Sequence, residues 1–191
     1  MLVSLSNYGQ NIPDHVNTNL LHNSNFADPV NQRNATTYTY DSGGDSEYCI
    51  DRWILSAGSI TVDAGRINLN SATLVQYIDG YNLLTGKVLT LSVNMHGSVS
   101  SISGELSTST VGSSFLSFSY DTSRDCIRVN ITGDGRLYWA KLEVGDTATT
   151  YVPKSRNQEY LDCYRYYVRY QTSTNSIVKP TAACWQNKHM V

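Results

Sequence analysis

Tyr38, Tyr77 and Tyr81 fall near the ends of predicted strands or in loops. There a tyrosine ring can stack on the face of a sugar while its hydroxyl hydrogen-bonds. Tyrosine serves equally well at such places with no ligand, so position alone leaves both uses open. A second cluster is the loop Asp41-Ser42-Gly43-Gly44-Asp45-Ser46-Glu47, with Asp41, Asp45 and Glu47 as hard oxygen donors on a glycine-rich turn. Such donors suit a structural calcium ion, although the loop lacks the EF-hand spacing and a plain turn is its commoner use. Catalytic patterns are missing: there is no GxSxG elbow, no HExxH and no phosphate-binding glycine loop. His15, His22, His96 and His189 are scattered. A glycosidase needs two carboxylates across a cleft, and nothing selects a pair from Asp51, Asp79, Glu105, Asp121, Asp125 and Glu143. The expectation is a non-enzyme with no catalytic residues and no cofactor.

Composition narrows the partners. Only 16% of the 191 residues are charged and the net charge is −2, which argues against a nucleic-acid binder. Lys141, Lys154, Arg156, Arg165 and Arg169 gather in the last third, but acidic residues interleave with them and the pattern reads as a solvated surface. No apolar run approaches the roughly 20 residues of a membrane helix, so no membrane insertion is expected. The opening Met1-Leu2-Val3-Ser4 does not resemble a secretory signal. Cys49, Cys126, Cys163 and Cys184 show neither a CxxC pair nor zinc spacing, and read as buried thiols in a protein folded in a cytoplasm.

The elements that must position these side chains are strands. Residues 1–18 read as a connector. From Asn19 short apolar alternations follow one another, broken by Gly, Asp, Asn and Ser. Ile60 and Val62 lead through Asp63-Ala64-Gly65 into Ile67 and Leu69, a hairpin. Leu89, Leu91, Val93 and Met95 recur at period two within 87–96, as do Leu116, Phe118 and Tyr120, then Ile127, Val129 and Ile131. Gly133-Asp134-Gly135 is expected to turn the chain tightly into a further strand over 137–144. Trp53 and Trp139 read as strand residues used for the core more readily than for a ligand. Strands spaced in this way predict an all-β antiparallel sandwich over 19–153, with a jelly roll as the specific form. Beyond Pro153, Ser155-Arg156-Asn157-Gln158 has capping-box spacing and Glu159 stands in the first turn, predicting a short helix. From Tyr164 the stretch can continue the helix or become a strand, and one or two helical turns followed by a strand are expected, with another strand over 177–191, completing a segment 154–191 that serves as the start of a further β element or a contact with neighbouring protomers.

Several pieces taken together resemble a known family. They are Asn19-Leu20-Leu21-His22-Asn23-Ser24-Asn25-Phe26, Pro29-Val30-Asn31-Gln32-Arg33, Tyr48-Cys49-Ile50-Asp51-Arg52-Trp53, Tyr138-Trp139-Ala140-Lys141-Leu142-Glu143-Val144-Gly145, Ala148-Thr149-Thr150-Tyr151-Val152-Pro153 and Leu161-Asp162-Cys163-Tyr164-Arg165-Tyr166-Tyr167. This set, spread over residues 19 to about 170, resembles tail-fibre or tail-appendage proteins of phages and prophages of Firmicutes. The first and last pieces are also similar to the opening and closing strands of jelly-roll carbohydrate-binding modules. In those modules the closing strand supplies an Asp to a structural calcium, and Lys141 at the matching place speaks against that ion here.

The resemblance implies a virion domain, usually a homotrimer, built together with other tail proteins and attaching to a host-surface glycan; the residues nominated for that contact, from their position alone, are Tyr77, Tyr81 and Tyr38. A purely structural tail protein is the competing expectation, and an accessory module of a glycoside hydrolase is the third.

Overall fold

The computed structural model describes residues 18–42, 47–79, 84–171 and 176–180, with side chains for all of them except 47, 168–171 and 176–180. Nine strands form one antiparallel sheet: β1 (Thr37–Thr39), β2 (Glu47–Tyr48), β3 (Ile54–Asp63), β4 (Arg66–Asp79), β5 (Val88–Met95), β6 (Ser98–Glu105), β7 (Val111–Gly112), β8 (Leu116–Asp121) and β9 (Cys126–Val144). The main path runs β1-β3-β4-β9-β5-β6, with β2 on β3, and β8 on β9 carrying β7. After them come the helix α1 (Arg156–Tyr164) and a separate hairpin of β10 (Tyr167–Gln171) and β11 (Ser176–Pro180). The fold is an all-β sandwich with a short C-terminal helix and additional strands.

One sheet makes both layers because it bends along a line that crosses its strands. In β4 the core-facing residues are Ile67 and Leu69, then Ala72, Leu74 and Ile78, so the parity changes where the register with β9 slips. A strand that gains one residue keeps its apolar side inward only through such a bulge. In β3 two slips lie on either side of Ala57, the second at Gly58, whose φ is 66° and where a Cβ would overlap the carbonyl oxygens of Asn70 and Ser71. Ser71 itself has φ 44°, and its N–H donates to Asp134 on β9. Next to it is Gly135, φ 93°, where a Cβ would strike the His96 ring at the end of β5. The line therefore passes from β3 through β4 and β9 to β5.

This geometry overturns the tight turn expected at Gly133-Asp134-Gly135. The two predicted strands are one 19-residue strand, β9. The glycines bend it without reversing it, because β4 stays paired on both sides of them, from Thr73↔Thr132 to Ile67↔Leu137. The first half of β9 is held by β8 and the second by β5. The strand so passes from one layer to the other, and β6 comes to lie against β7 and β8 without bonding to them.

The core between the layers is filled by Phe26, Trp53, Phe118 and aliphatic residues from β3, β4, β5, β8 and β9. Trp53 is fully buried with its ring 5.2 Å from Phe26. Trp139 points outward from β9 and stacks on Tyr151, centroids 4.7 Å apart and planes 1° from parallel. The hairpin of β3 and β4 forms as expected, closing at Asp63↔Arg66, and β5 forms where predicted with Leu89, Leu91, Val93 and Met95 in the core, although Thr90 and Ser92 on its other face are buried as well. Cys49, Cys126 and Cys163 are buried thiols; Cys184 lies outside the described residues. The 1–18 connector (apart from Thr18) and residues 181–191 of the last predicted strand also lie outside them.

The bend makes a direct prediction. Gly58→Ala is expected to lower the unfolding free energy in urea by about 3 kcal/mol or more, through left-handed strain plus overlap. Gly65→Ala, also at positive φ but with nothing within 4 Å of the added carbon, is expected to cost about 1 kcal/mol.

Candidate functional site

Among the described residues, a dense set of buried polar contacts lies where the 19–33 segment, the 48–53 turn, the second half of β9 and α1 meet. Asn23 is its centre. The side-chain amide donates to the carbonyls of Val30 (2.8 Å) and Asp51 (2.7 Å) and accepts from Val30 N–H (2.7 Å). The Asn23 N–H donates to Glu159 Oε2 (2.7 Å) and its carbonyl accepts from the Trp53 indole (2.8 Å). With φ 51° the residue sits in the left-handed region, where asparagine is favoured among non-glycine residues. Asn19 acts similarly nearby: its oxygen accepts from Leu21 and Leu142 N–H (3.0 Å each), and its nitrogen donates to Ser24 Oγ and Ala140 O.

Two ionic arrangements flank this centre. Asp51 is fully buried, and accepts from Gln32 N–H and from Arg33 Nη1 at 3.1 Å each. Burial raises its pKa, opposed by those donors. Arg33 also lies over the Tyr167 ring at 4.0 Å. On the other side Arg52 stacks on Tyr166, 3.4 Å from the ring centroid, beside His22. His22 Nδ1 is 3.6 Å from Asp162, which also pairs with Lys154 at 3.0 Å. Burial first, then Arg52 and Lys154, push the His22 pKa down to about 4. The Asp162 carboxyl is pushed up by burial but ends below its usual range, because Lys154 and Gln158 bond to it.

α1 is placed by this cluster. Ser155 caps it, its hydroxyl accepting from Gln158 N–H at 3.3 Å. The Gln158 side chain goes to Asp162 instead of back to the cap. Glu159, expected as a first-turn charge, is buried and holds Asn23; burial raises its pKa.

Beneath the 145–153 segment, Lys141 corrects the solvated reading of the basic residues. It is 1% exposed, and its ammonium meets Glu143 Oε2 at 3.1 Å, Thr150 O at 3.1 Å and the Thr149 hydroxyl. Glu143 accepts in turn from Thr149 N–H and hydroxyl. Burial pushes Glu143 up, and the Thr149 bonds with Lys141 outweigh it, so the net shift is downward. The side chain that marks the closing strand thus carries its own positive charge into an oxygen-lined site.

The predicted sugar-stacking residues are not brought together. Tyr38 on β1 pairs with Ile60, which pairs with Leu69 on β4, eight residues along from Tyr77. That separation is on the order of 25 Å of strand. The Tyr38 hydroxyl donates to Asn31 and its ring packs against the core. Tyr77 lies under Arg124, 4.7 Å from guanidinium to ring, and its hydroxyl accepts from that group at 2.6 Å. Tyr81 and Asp45 lie outside the described residues, as does the Glu47 side chain; Asp41 is exposed. Among the described residues no three His, Cys, Asp or Glu side chains gather as a metal set. Asn19, Asn23 and the Arg52–Tyr166 stack were missed as polar anchors. Their only signal was membership in the distinctive sequence pieces.

No protein-family model matches the chain, and no curated protein or solved structure is significantly similar to it.

Lys141→Met leaves a buried carboxylate uncompensated and is expected to cost about 3–5 kcal/mol; adding Glu143→Gln should recover at least half of this, read by urea unfolding. For His22, the folded state favours the neutral ring while the unfolded chain takes up a proton near pH 6.5. Stability is therefore lost as pH falls from about 6.5 toward 4. Asp51 and Glu159, raised by burial, work in the opposite direction. Between pH 7 and 4.5 the native protein is expected to lose about 2 kcal/mol more than His22→Gln.

Proposed function

We propose that the chain is a host-attachment domain of a phage tail fibre or tail appendage, non-enzymatic, displayed on the virion and binding a host-surface carbohydrate. One observation carries the reading. The sequence pieces that resemble that family, scattered from Asn19 to Tyr167, meet one another: Asn23 bonds Val30, Asp51 and Trp53, Asn19 bonds Ala140 and Leu142, Arg33 reaches Asp51 and Tyr167, Arg52 stacks on Tyr166 and Trp139 on Tyr151. Residues that share a resemblance because they build a common scaffold are expected to meet in this way; chance matches are not. The buried carboxylates Asp51, Glu143 and Glu159 are each bonded to backbone donors or cations, which suits a scaffold better than acid–base work.

Carbohydrate binding then belongs to the loops. Tyr77 and Arg124 form an aromatic–cation pair at the end of β4, next to the segment that holds Tyr81. Weak single sites of this kind gain from repetition, and a homotrimer presents three pointing one way. A purely structural tail protein remains the competing reading, favoured by how firmly Tyr38 is tied to Asn31 and Tyr77 to Arg124.

Binding of the purified chain to host cell-wall and capsule preparations separates the two. Attachment that weakens at least tenfold in Tyr77→Ala/Tyr81→Ala, with the fold intact by circular dichroism, is the expected result. Failure to bind every preparation favours the structural role.

A further inference from the structure

β6 pairs along its full length with β5, from Met95↔Ser98 to Val88↔Glu105, without a register slip. Among the described residues it has no second neighbour in the sheet. His96 and Gly97, at φ 55° and 84°, make the two-residue turn that joins the strands. Such a turn makes Met95 and Ser98 a hydrogen-bonded pair, and bonded pairs then recur at every second residue. Leu106 N–H donating to Lys87 O at 2.8 Å keeps that phase. The N–H and C=O groups of Val99, Ser101, Ser103 and Glu105 therefore point away from β5: four donors and four acceptors in a row.

Exposed edges of this kind are ordinarily blunted by lysine, proline, a bulge or shortness. β1, at the other end of the strand path, is three residues long. β6 has eight residues, no proline, no basic residue and a single charge, Glu105, at its end. Val99 is 58% exposed.

The strand is complementary to itself. Set antiparallel to a second β6, with Val99 opposite Glu105 and Ser101 opposite Ser103, it uses every outward group and forms eight interchain backbone bonds. The alignment is symmetric about Ile102, whose two half-buried side chains meet across the axis. Ser100 faces Gly104, and neither resists close approach. Glu105 of each copy comes to the hairpin end of the other, where His96 N–H bonds Arg136 O at 2.8 Å and the exposed Arg136 supplies positive charge.

We propose that β6 is a docking edge for a second copy of this chain, the two strands pairing antiparallel about a twofold axis at Ile102 so that one sheet continues through both protomers. A twofold contact here occupies only this edge. It is expressed equally in a plain dimer and in two trimers joined edge to edge.

Light scattering on the full chain is expected to give two or six copies. Ser101→Pro, which removes an outward N–H and spares the β5 ladder, should halve that number. Ile102→Cys, whose sulfur atoms face each other across the axis, should form an interchain disulfide under mild oxidation in at least tenfold higher yield than Val99→Cys. Should Ser101→Pro fail to fold, the cross-link decides alone. A mass of one or three copies with no Ile102→Cys cross-link overturns the proposal. So does a monomer that Ser101→Pro destabilises, which means the chain covers its own edge. Either result leaves the carbohydrate assay standing as a separate test.

Discussion

A single residue, Asn23, ties its own 19–33 segment to two parts of the molecule that are distant in sequence, the 48–53 turn and α1. Its amide holds the backbone of residues 30 and 51, its own backbone holds the Trp53 indole and the Glu159 carboxylate, and all of these atoms are withdrawn from water. A buried polar group left without partners costs about 1–3 kcal/mol, so a residue that satisfies five at once constrains its surroundings strongly. The 19–33 segment is held beside β9 by Asn19, Leu20 and Ser24, and Trp53 and α1 dock against it where they do because their polar groups have Asn23 as the shared solution.

The rest of the sandwich serves to bring those parts together. The bulge line through Gly58, Ser71 and Gly135 folds one sheet onto itself, and β9 carries the connection between layers. Its outer half then presents Trp139, Lys141 and Glu143 away from the core, and the 145–153 segment covers them through Tyr151, Thr149 and Thr150. That segment leads directly into the Ser155 cap. The chain order from bend to strap to helix is thus also the order in which the polar cluster is completed.

Much of the fold was legible in the sequence because period-two alternation reports directly on burial. β5, β8, the β3–β4 hairpin and the Ser155 cap all carried local signals that no tertiary contact overrode. The bend at Gly133-Asp134-Gly135 was misread as a reversal because glycine and aspartate serve turns and bulges alike; only the continuous pairing with β4 separates them. Lys141 was misread as solvated because a lone lysine gives no sign of the oxygens gathered on it by residues eight and nine positions later. The cluster around Asn23 was visible only as unusual wording in the sequence. Its bonds span up to 136 residues, and a pattern of types along one chain does not specify which distant carbonyls an amide will meet.

If a buried asparagine governs how these segments meet, deleting its amide must loosen all of them together. Asn23→Gly removes the side chain while accommodating φ 51°, so backbone strain does not confuse the result. Amide hydrogen exchange on this variant is the most direct measurement. The account predicts that protection falls jointly at Val30, at the Trp53 indole and through α1, while β5 and β6 keep theirs. A loss confined to Val30, with α1 as protected as before, would contradict it.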